Sequence, residues 1–235
     1  MRRKGLVIIG AFAVLFVLFS LQSCRSTPEK GLLGAYFHAI SLKDTATMSS
    51  MAVEPVSIDH VSWDIVSVSE EKIEPTSLVE LGKAEMEFKK KLEEHVGPVM
   101  DAEDALYGAQ EELKAARTGA SRAAAKRKVD EMQAKFDEER ELHKELQRNY
   151  NEAKAAAEKE RDIAIFSVIG PTGELPNIMD LAGTVHSKDV DAKVVDKAGE
   201  EKLYRFNLKR YELRDEASNI SHRGRWVIVQ FGPVA

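Results

Sequence analysis

Residues 78–116 read LVELGKAEMEFKKKLEEHVGPVMDAEDALYGAQEELKAA, and in them one series of residues recurs at alternating steps of three and four. Leu78, Leu81, Phe88, Leu92, Val99, Ala102, Leu106, Ala109, Leu113 and Ala116 belong to that series, with Glu85 and His95 as its polar members. This spacing is the seam of a heptad helix. A second seam follows in Val129, Met132, Phe136, Leu146, Tyr150, Ala153 and Ala157, with Glu139 and His143 as its polar members. Between the two lies Arg117-Thr118-Gly119-Ala120-Ser121, a short link with a glycine, which implies antiparallel neighbours. Folding at Gly119 pairs residues equidistant from it: Leu106 with Met132, Ala102 with Phe136, Leu92 with Leu146, Phe88 with Tyr150 and Leu81 with Ala157. Two of these pairs, Ala102 with Phe136 and Leu81 with Ala157, set a large side chain against a small one, as interdigitated layers require. The sequence therefore predicts an antiparallel coiled-coil hairpin over 77–162. Each arm, of about 40 residues, would reach about 60 Å at the helical rise. Gly97-Pro98 interrupts the first arm. Because the heptad phase carries across it, a bent helix is expected rather than a break.

On either side the pattern changes. Thr27-Pro28-Glu29 is a helix start, with Thr27 as N-cap and Pro28 in the first helical position. Leu32, Leu33, Tyr36, Ala39 and Ile40 then give one apolar face. Lys43-Asp44 ends it, and Asp44 is placed to cap a short second helix containing Met48 and Met51. Residues 61–68, VSWDIVSV, predict a strand. Beyond the hairpin, 163–169 is apolar and of ambiguous type, and Gly170-Pro171-Thr172-Gly173 ends any helix. Val185, Val190, Ala192 and Val194 mark one strand, and Leu203, Tyr204, Phe206, Leu208 and Tyr211 a longer one. Residues 197–200 are the turn between them. Residues 214–223 read as a polar loop and 224–231 as a third strand. Three strands on short connections predict an antiparallel meander, which needs a helix to cover one face. The expected fold class is α+β: a curved antiparallel sheet with an N-terminal helix, interrupted by the hairpin. Residues 24–76 and 163–235 would form the α+β domain.

The first 23 residues stand apart. Met1-Arg2-Arg3-Lys4 precedes an unbroken apolar run from Gly5 to Phe19, the charge and hydropathy order of a secretory leader. Leu21-Gln22-Ser23-Cys24 follows and resembles the bacterial lipobox, in which cleavage before the cysteine leaves it carrying lipid. Cys24 is the single cysteine of the chain, so no internal disulfide is possible. The alternative is an uncleaved anchor helix, since Gly5 to Leu21 sits at the short limit for a bilayer span. Either way the positive flank places the rest of the chain on the far side of the membrane. Three of the 34 basic side chains and none of the 39 acidic ones precede Cys24, leaving 31 against 39, a net of −8. That balance argues against a nucleic-acid footprint and against electrostatic adhesion to anionic lipid, so covalent acyl chains such as palmitate would do the anchoring.

Gly34-Ala35-Tyr36-Phe37-His38-Ala39-Ile40 with Lys43-Asp44, and Gly224-Arg225-Trp226-Val227-Ile228, resemble pieces of the nuclear-transport-factor-2-like domain. In that fold a curved antiparallel sheet wraps a long helix, and small bacterial envelope lipoproteins of unknown function carry it. The resemblance covers about half of the mature chain, discontinuously. It implies a pocket-forming scaffold and no particular chemistry, since the fold hosts enzymes, binding modules and assembly domains alike. The hairpin departs from the family pattern as an insertion after the first strand.

Within the hairpin, His95 and His143 are equidistant from Gly119, and Glu139 lies one turn from His143. Two imidazoles and a carboxylate are a possible divalent-metal set. The preferred reading is a polar layer that fixes register, with no metal and no cofactor. Glu85 is expected to reach solvent or Lys89. His38, His60, His186 and His222 are isolated, and Asp44 and Asp64 have cap and strand-surface explanations. No phosphate loop, nucleophile elbow or paired cysteine motif occurs, so no catalytic residue and no enzyme activity is expected. Two functional classes remain: an envelope protein that meets a protein partner or a second copy through its hairpin, and a lipoprotein whose sheet pocket binds a small ligand.

Overall fold

The computed structural model describes residues 27–215 and 218–234. The expected leader of residues 1–23 and its lipobox cysteine, Cys24, lie outside the described residues. The described chain is mixed helix and sheet, with a curled antiparallel sheet. In order it contains α1 (Pro28–Leu42), α2 (Thr45–Ser49), β1 (Ser62–Val68), β2 (Lys72–Pro75), α3 (Leu78–Glu94), α4 (Val96–Ala115) and α5 (Gly119–Val168). A 3-10 turn (Ile178–Asp180), β3 (Ala182–Val195), β4 (Glu201–Asp215), β5 (Ile220–Arg223) and β6 (Val227–Pro233) complete it. The chain divides into two compact units. The first takes the described residues up to Lys72, Ser187–Arg210 and those from Arg225 onward; the second takes Ile73–His186 and Tyr211–Gly224.

In the first unit α1 begins as its composition requires. The Thr27 hydroxyl accepts from the Lys30 N–H and Pro28 opens the helix. It ends at Lys43, whose left-handed backbone (φ 55°) lets its N–H reach the carbonyls of Ala39 and Ile40. Leu33, Tyr36, Phe37, Ala39 and Ile40 are buried from this one helix. Asp44 then accepts from the Thr47 N–H at 3.0 Å and starts α2, which buries Met48 but stops before Met51. Strand β1 pairs antiparallel with β3, and β6 antiparallel with β4. Val190, Ala192 and Val194 of β3 and Phe206 and Leu208 of β4 alternate into the core against α1. Phe37 sits at its centre, stacked on Trp63 at 4.8 Å and edge-on to Phe206 at 5.8 Å. The Tyr36 hydroxyl donates to the Val56 carbonyl at 2.8 Å, which satisfies a phenol whose ring is fully buried.

In the second unit α3 and α4 both pack on α5. Every seam residue from Leu78 to Ala116, and from Val129 to Ala157, is buried or half-buried, while most residues between them are exposed. Instead of one bent helix, two helices occur, α3 and α4, parted by the single residue His95. The reason is Pro98: it offers no N–H to the Glu94 carbonyl four residues before it, and its ring crowds that turn. His95 keeps right-handed helical backbone (φ −82°, ψ −7°), and the shielded positions keep their alternation of three and four across it. Gly119 is not a turn residue but the first residue of α5. Thr118 caps the helix, its hydroxyl accepting from the Ser121 N–H while the Ser121 hydroxyl accepts from the Thr118 N–H.

Two further expectations are corrected here. The apolar run from 163 is helical to Val168, and Ile163, Ala164 and Phe166 are buried in the second unit rather than in a β domain starting at 163. The polar segment 214–223 contains a strand, β5, which pairs with β4 through Glu212–Arg223 and Asp215–Ile220. Gly183 and Gly224 are required by close approach. A Cβ on Gly183 would lie 2.1 Å from the Glu212 carbonyl oxygen, and one on Gly224 would lie 2.3 Å from Ser167 Oγ.

Candidate functional site

Three of the four polar seam residues, His95, Glu139 and His143, do meet. His95 and His143 stack with ring centroids 5.8 Å apart and planes 25° from parallel. His95 Nε2 lies 2.8 Å from Glu139 Oε2. Neither ring nitrogen of His95, nor Nδ1 of His143, completes a hydrogen bond. The Glu139 approach therefore has the distance of an ion pair without the direction of a hydrogen bond, and it is strong only when the ring is charged. Near-parallel imidazoles present faces to each other rather than converging lone pairs. Among the described residues no group of three His, Cys, Asp or Glu could hold a metal ion. The layer is a polar interruption of an apolar seam, with His95 only 11% exposed on its side chain. Glu85, expected near Lys89, is half-buried, and Lys89 instead approaches Glu93 at 3.9 Å.

Where α4 gives way to α5, an open groove of about 670 Å³ is floored by Ala115, Ala116, Ala124 and Ala125. Glu112 and Lys128 pair across its rim at 2.5 Å.

In the first unit a cavity of about 220 Å³ is lined by Ile40, Ser41, Lys43, Asp59, His60 and Lys197 among others. Ser41 Oγ and His60 Nε2 are 3.2 Å apart, and His60 Nδ1 is 3.2 Å from the Ile58 carbonyl. A serine beside a histidine invites a nucleophilic reading. The geometry opposes it. The Ser41 hydroxyl donates to the Phe37 carbonyl at 3.0 Å, so its proton is committed to the helix backbone rather than offered to the ring. The pair is a polar lining that tethers the loop before β1 to the end of α1.

A third cluster was not legible as a site. Glu29, 3% exposed in the first turn of α1, receives a 2.6 Å hydrogen bond from Lys188 Nζ. Lys188 also lies 3.1 Å from Glu71 Oε2, and Arg210 is 3.5 Å from the other oxygen of Glu71. The Trp226 ring has Lys188 5.0 Å and Arg210 5.1 Å from its centroid. Burial would raise the Glu29 carboxyl, but hydrogen bonds from Lys188, its own backbone N–H and Thr27 outweigh that and hold it below its ordinary value. Burial would lower Lys188, but hydrogen bonds to Glu29 and Glu71 hold it above its own. Each charge answers another, so the cluster staples α1 to β3. The only local signal was an acidic residue in the first turn, which suits the helix dipole.

In the second unit the Tyr211 hydroxyl donates to Glu160. Burial, then that bond, raises its pKa above the ordinary value. His186 is 6% exposed and lies 3.8 Å from Glu212. His38 is exposed and His222 half-buried on β5. Among the described residues no helix is long and apolar enough to cross a membrane. Comparison with known protein families, curated proteins and solved structures gives no match.

Proposed function

We propose that this chain is an extracytoplasmic lipoprotein, anchored through acyl chains on Cys24, whose α3–α4 and α5 form an antiparallel coiled-coil hairpin serving as a protein-interaction module. The observation that carries the reading is the burial pattern. The heptad positions of both arms are shielded, while the flanking positions are exposed and mostly charged. A 50-residue α5 spans about 75 Å at the helical rise. A helix that buries so few residues along its length serves reach rather than enclosure. The leader-like charge order and the Leu21–Cys24 box support export and lipidation, with an uncleaved anchor helix as the alternative. The α+β part fits a nuclear-transport-factor-2-like scaffold for the hairpin.

The test is a pair of measurements on protein purified from membranes. Mass spectrometry of the mature N-terminus should find acylated Cys24 as the first residue; an intact Met1 would remove the lipoprotein reading. Leu92→Cys with Leu146→Cys should give a disulfide within one chain, and Leu92→Cys with Met132→Cys should not. Absence of the first link would remove the hairpin. A second reading, a small-ligand lipoprotein, is favoured by the cavity beside Ser41 and His60. Its 220 Å³ suits only a small ligand, below the usual drug-sized pocket.

A further inference from the structure

One flank of α3 and α4 is apolar without a partner. Met86, Met100 and Tyr107 are 72%, 59% and 64% exposed, and they share one sevenfold column away from the seam, with the charged Glu93 between the two methionines. Val96, 45% exposed, lies beside them. Side chains of this size left in water along one face of a helix mark an interaction surface. Their neighbours carry a charge pattern with an internal reversal. Along the outer edge of the stripe run Lys83, Lys90, Gly97, Asp104 and Glu111, seven apart and all exposed. Along its inner edge run Lys89, Val96 and Glu103, also seven apart and exposed. Each edge is basic before its middle residue and acidic after it.

We propose that a second copy of this chain docks antiparallel on this flank, about a two-fold axis passing between Val96 and Gly97. The proposal rests on the hairpin reading, because the flank is defined by the seam it avoids. A two-fold axis there brings Lys83 to Glu111, Lys90 to Asp104 and Lys89 to Glu103 of the other copy, each pair occurring twice. Met86 meets Tyr107, and Val96 meets its own counterpart. An unrelated partner would have no need of a face that complements its own reverse, whereas an isologous interface demands it. The exposed pairs that now engage some of these lysines, Lys89–Glu93 at 3.9 Å and Lys90–Glu94 at 3.7 Å, are weak enough to exchange. Glu93, opposite Met100, is the one poorly matched position, and its length lets the carboxylate turn to the rim.

Gly97 is compatible with that axis. It lies in the first turn of α4, and a Cβ there would meet nothing within 4 Å. Its place before Pro98 already favours glycine in helical backbone, because a Cβ there would crowd the proline ring. The same missing side chain leaves room for two helix backbones to approach at the axis.

The experiment uses full-length protein in detergent, with sedimentation equilibrium and mapping of disulfide-linked peptides. Wild type should dimerise, and Val96→Cys should link to itself between copies. Reversing one side, Lys83→Glu with Lys89→Glu and Lys90→Glu, should weaken the dimer on the order of tenfold or more. Adding Glu103→Lys, Asp104→Lys and Glu111→Lys to the same chain should restore it. A monomer whose Leu92→Cys/Leu146→Cys link still forms would overturn this inference and leave the hairpin standing. Loss of that intrachain link would instead count against the hairpin itself. A dimer indifferent to the reversals, or not restored by the full exchange, would also overturn the inference, as would a stable complex on this flank with a different protein alone.

Discussion

The 15 residues of α1 bury six side chains, and the 50 residues of α5 bury five, four of them within its last six positions. The first helix lies against a sheet that returns large side chains to it: Phe206 stacks on Phe231 at 4.7 Å, and Phe37 on Trp63. Along most of α5 the partners are α3 and α4, each helix offering one narrow seam, so contact residues stay half-buried. The first unit draws its stability from a few fully enclosed groups. The helices draw theirs from many partial contacts, none of which dominates. Both tryptophans, Trp63 and Trp226, lie in the first unit, so fluorescence reports that unit while far-ultraviolet circular dichroism is dominated by the helices.

This contrast predicts the largest loss at Phe37. Phe37→Ala removes a ring 1% exposed from the centre of the aromatic group and should cost about 3–5 kcal/mol. Urea titration should show the fluorescence transition moving further than the helical one. Equal movement of both would mean that the two units unfold as one, and the comparison would lose its energetic content.

Next comes the Glu29–Lys188 pair. Glu29→Ala leaves the Lys188 ammonium facing fewer carboxylates in a largely shielded site and should cost about 3 kcal/mol at neutral pH. The sign with pH follows from the depressed carboxyl. Its contribution is complete above the unfolded value near 4.5 and is lost as pH falls through the lower native value. Lys188, raised above 10.5, contributes below that value and loses its share as pH rises through the native one. The stability difference between wild type and Glu29→Gln should therefore be flat near neutrality and shrink in acid. A difference that grew on acidification would show that Glu29 is not the stabilising member.

Within the helices the effects should be smaller and graded by burial. Leu106, 8% exposed, should cost about 2–3 kcal/mol as alanine, and half-buried Leu92 about 1–2. Thermal unfolding followed at 222 nm would check the order. A larger loss at Leu92 would mean that its layer is better packed than its exposure shows.

Local features were the ones legible in advance. The start of α1 at Thr27-Pro28, its end at Lys43, the cap at Asp44 and the heptad phase each rest on residues within a turn or two of one another. What escaped depends on distant chain. Strands β2 and β5, four residues each, carry too little alternation to stand out, and β5 exists because β4 is long enough to pair with it. The link at Thr118 reads as a glycine turn until Ser121 is seen to close the capping box. The division into two units was hidden because β3 and β4 each run through both. On β4 the buried positions change from even-numbered Phe206 and Leu208 to odd-numbered Tyr211 and Leu213 as the strand passes from one unit to the other. The charge cluster joins Glu29, Glu71, Lys188 and Arg210, residues no spacing rule connects. The spacing brought His95, Glu139 and His143 together but said nothing of ring orientation, and orientation is what separates stacked imidazoles from a ligand set.

The smallest expected effect falls on that layer and bears most directly on what the helices are for. His95 and His143 place ring nitrogens in a shielded seam without completing hydrogen bonds, which costs desolvation that a stack at 5.8 Å returns only in part. Replacing both with leucine fills the same space with apolar atoms, so stability should be unchanged or rise by about 1 kcal/mol. Glu139, 35% exposed on its side chain, can turn to water once its neighbour is gone. Two measurements on the double variant separate energy from specificity. If it gains stability and keeps the Leu92→Cys/Leu146→Cys link, pairing is set by the apolar layers along the rest of the seam. If it gains stability and loses that link, the histidines hold the register at the expense of stability, as polar seam residues do in coiled coils. A loss of more than about 1 kcal/mol would show that the stacked pair itself binds the helices together, and the contrast with the enclosed core of the first unit would have to be redrawn at this one layer.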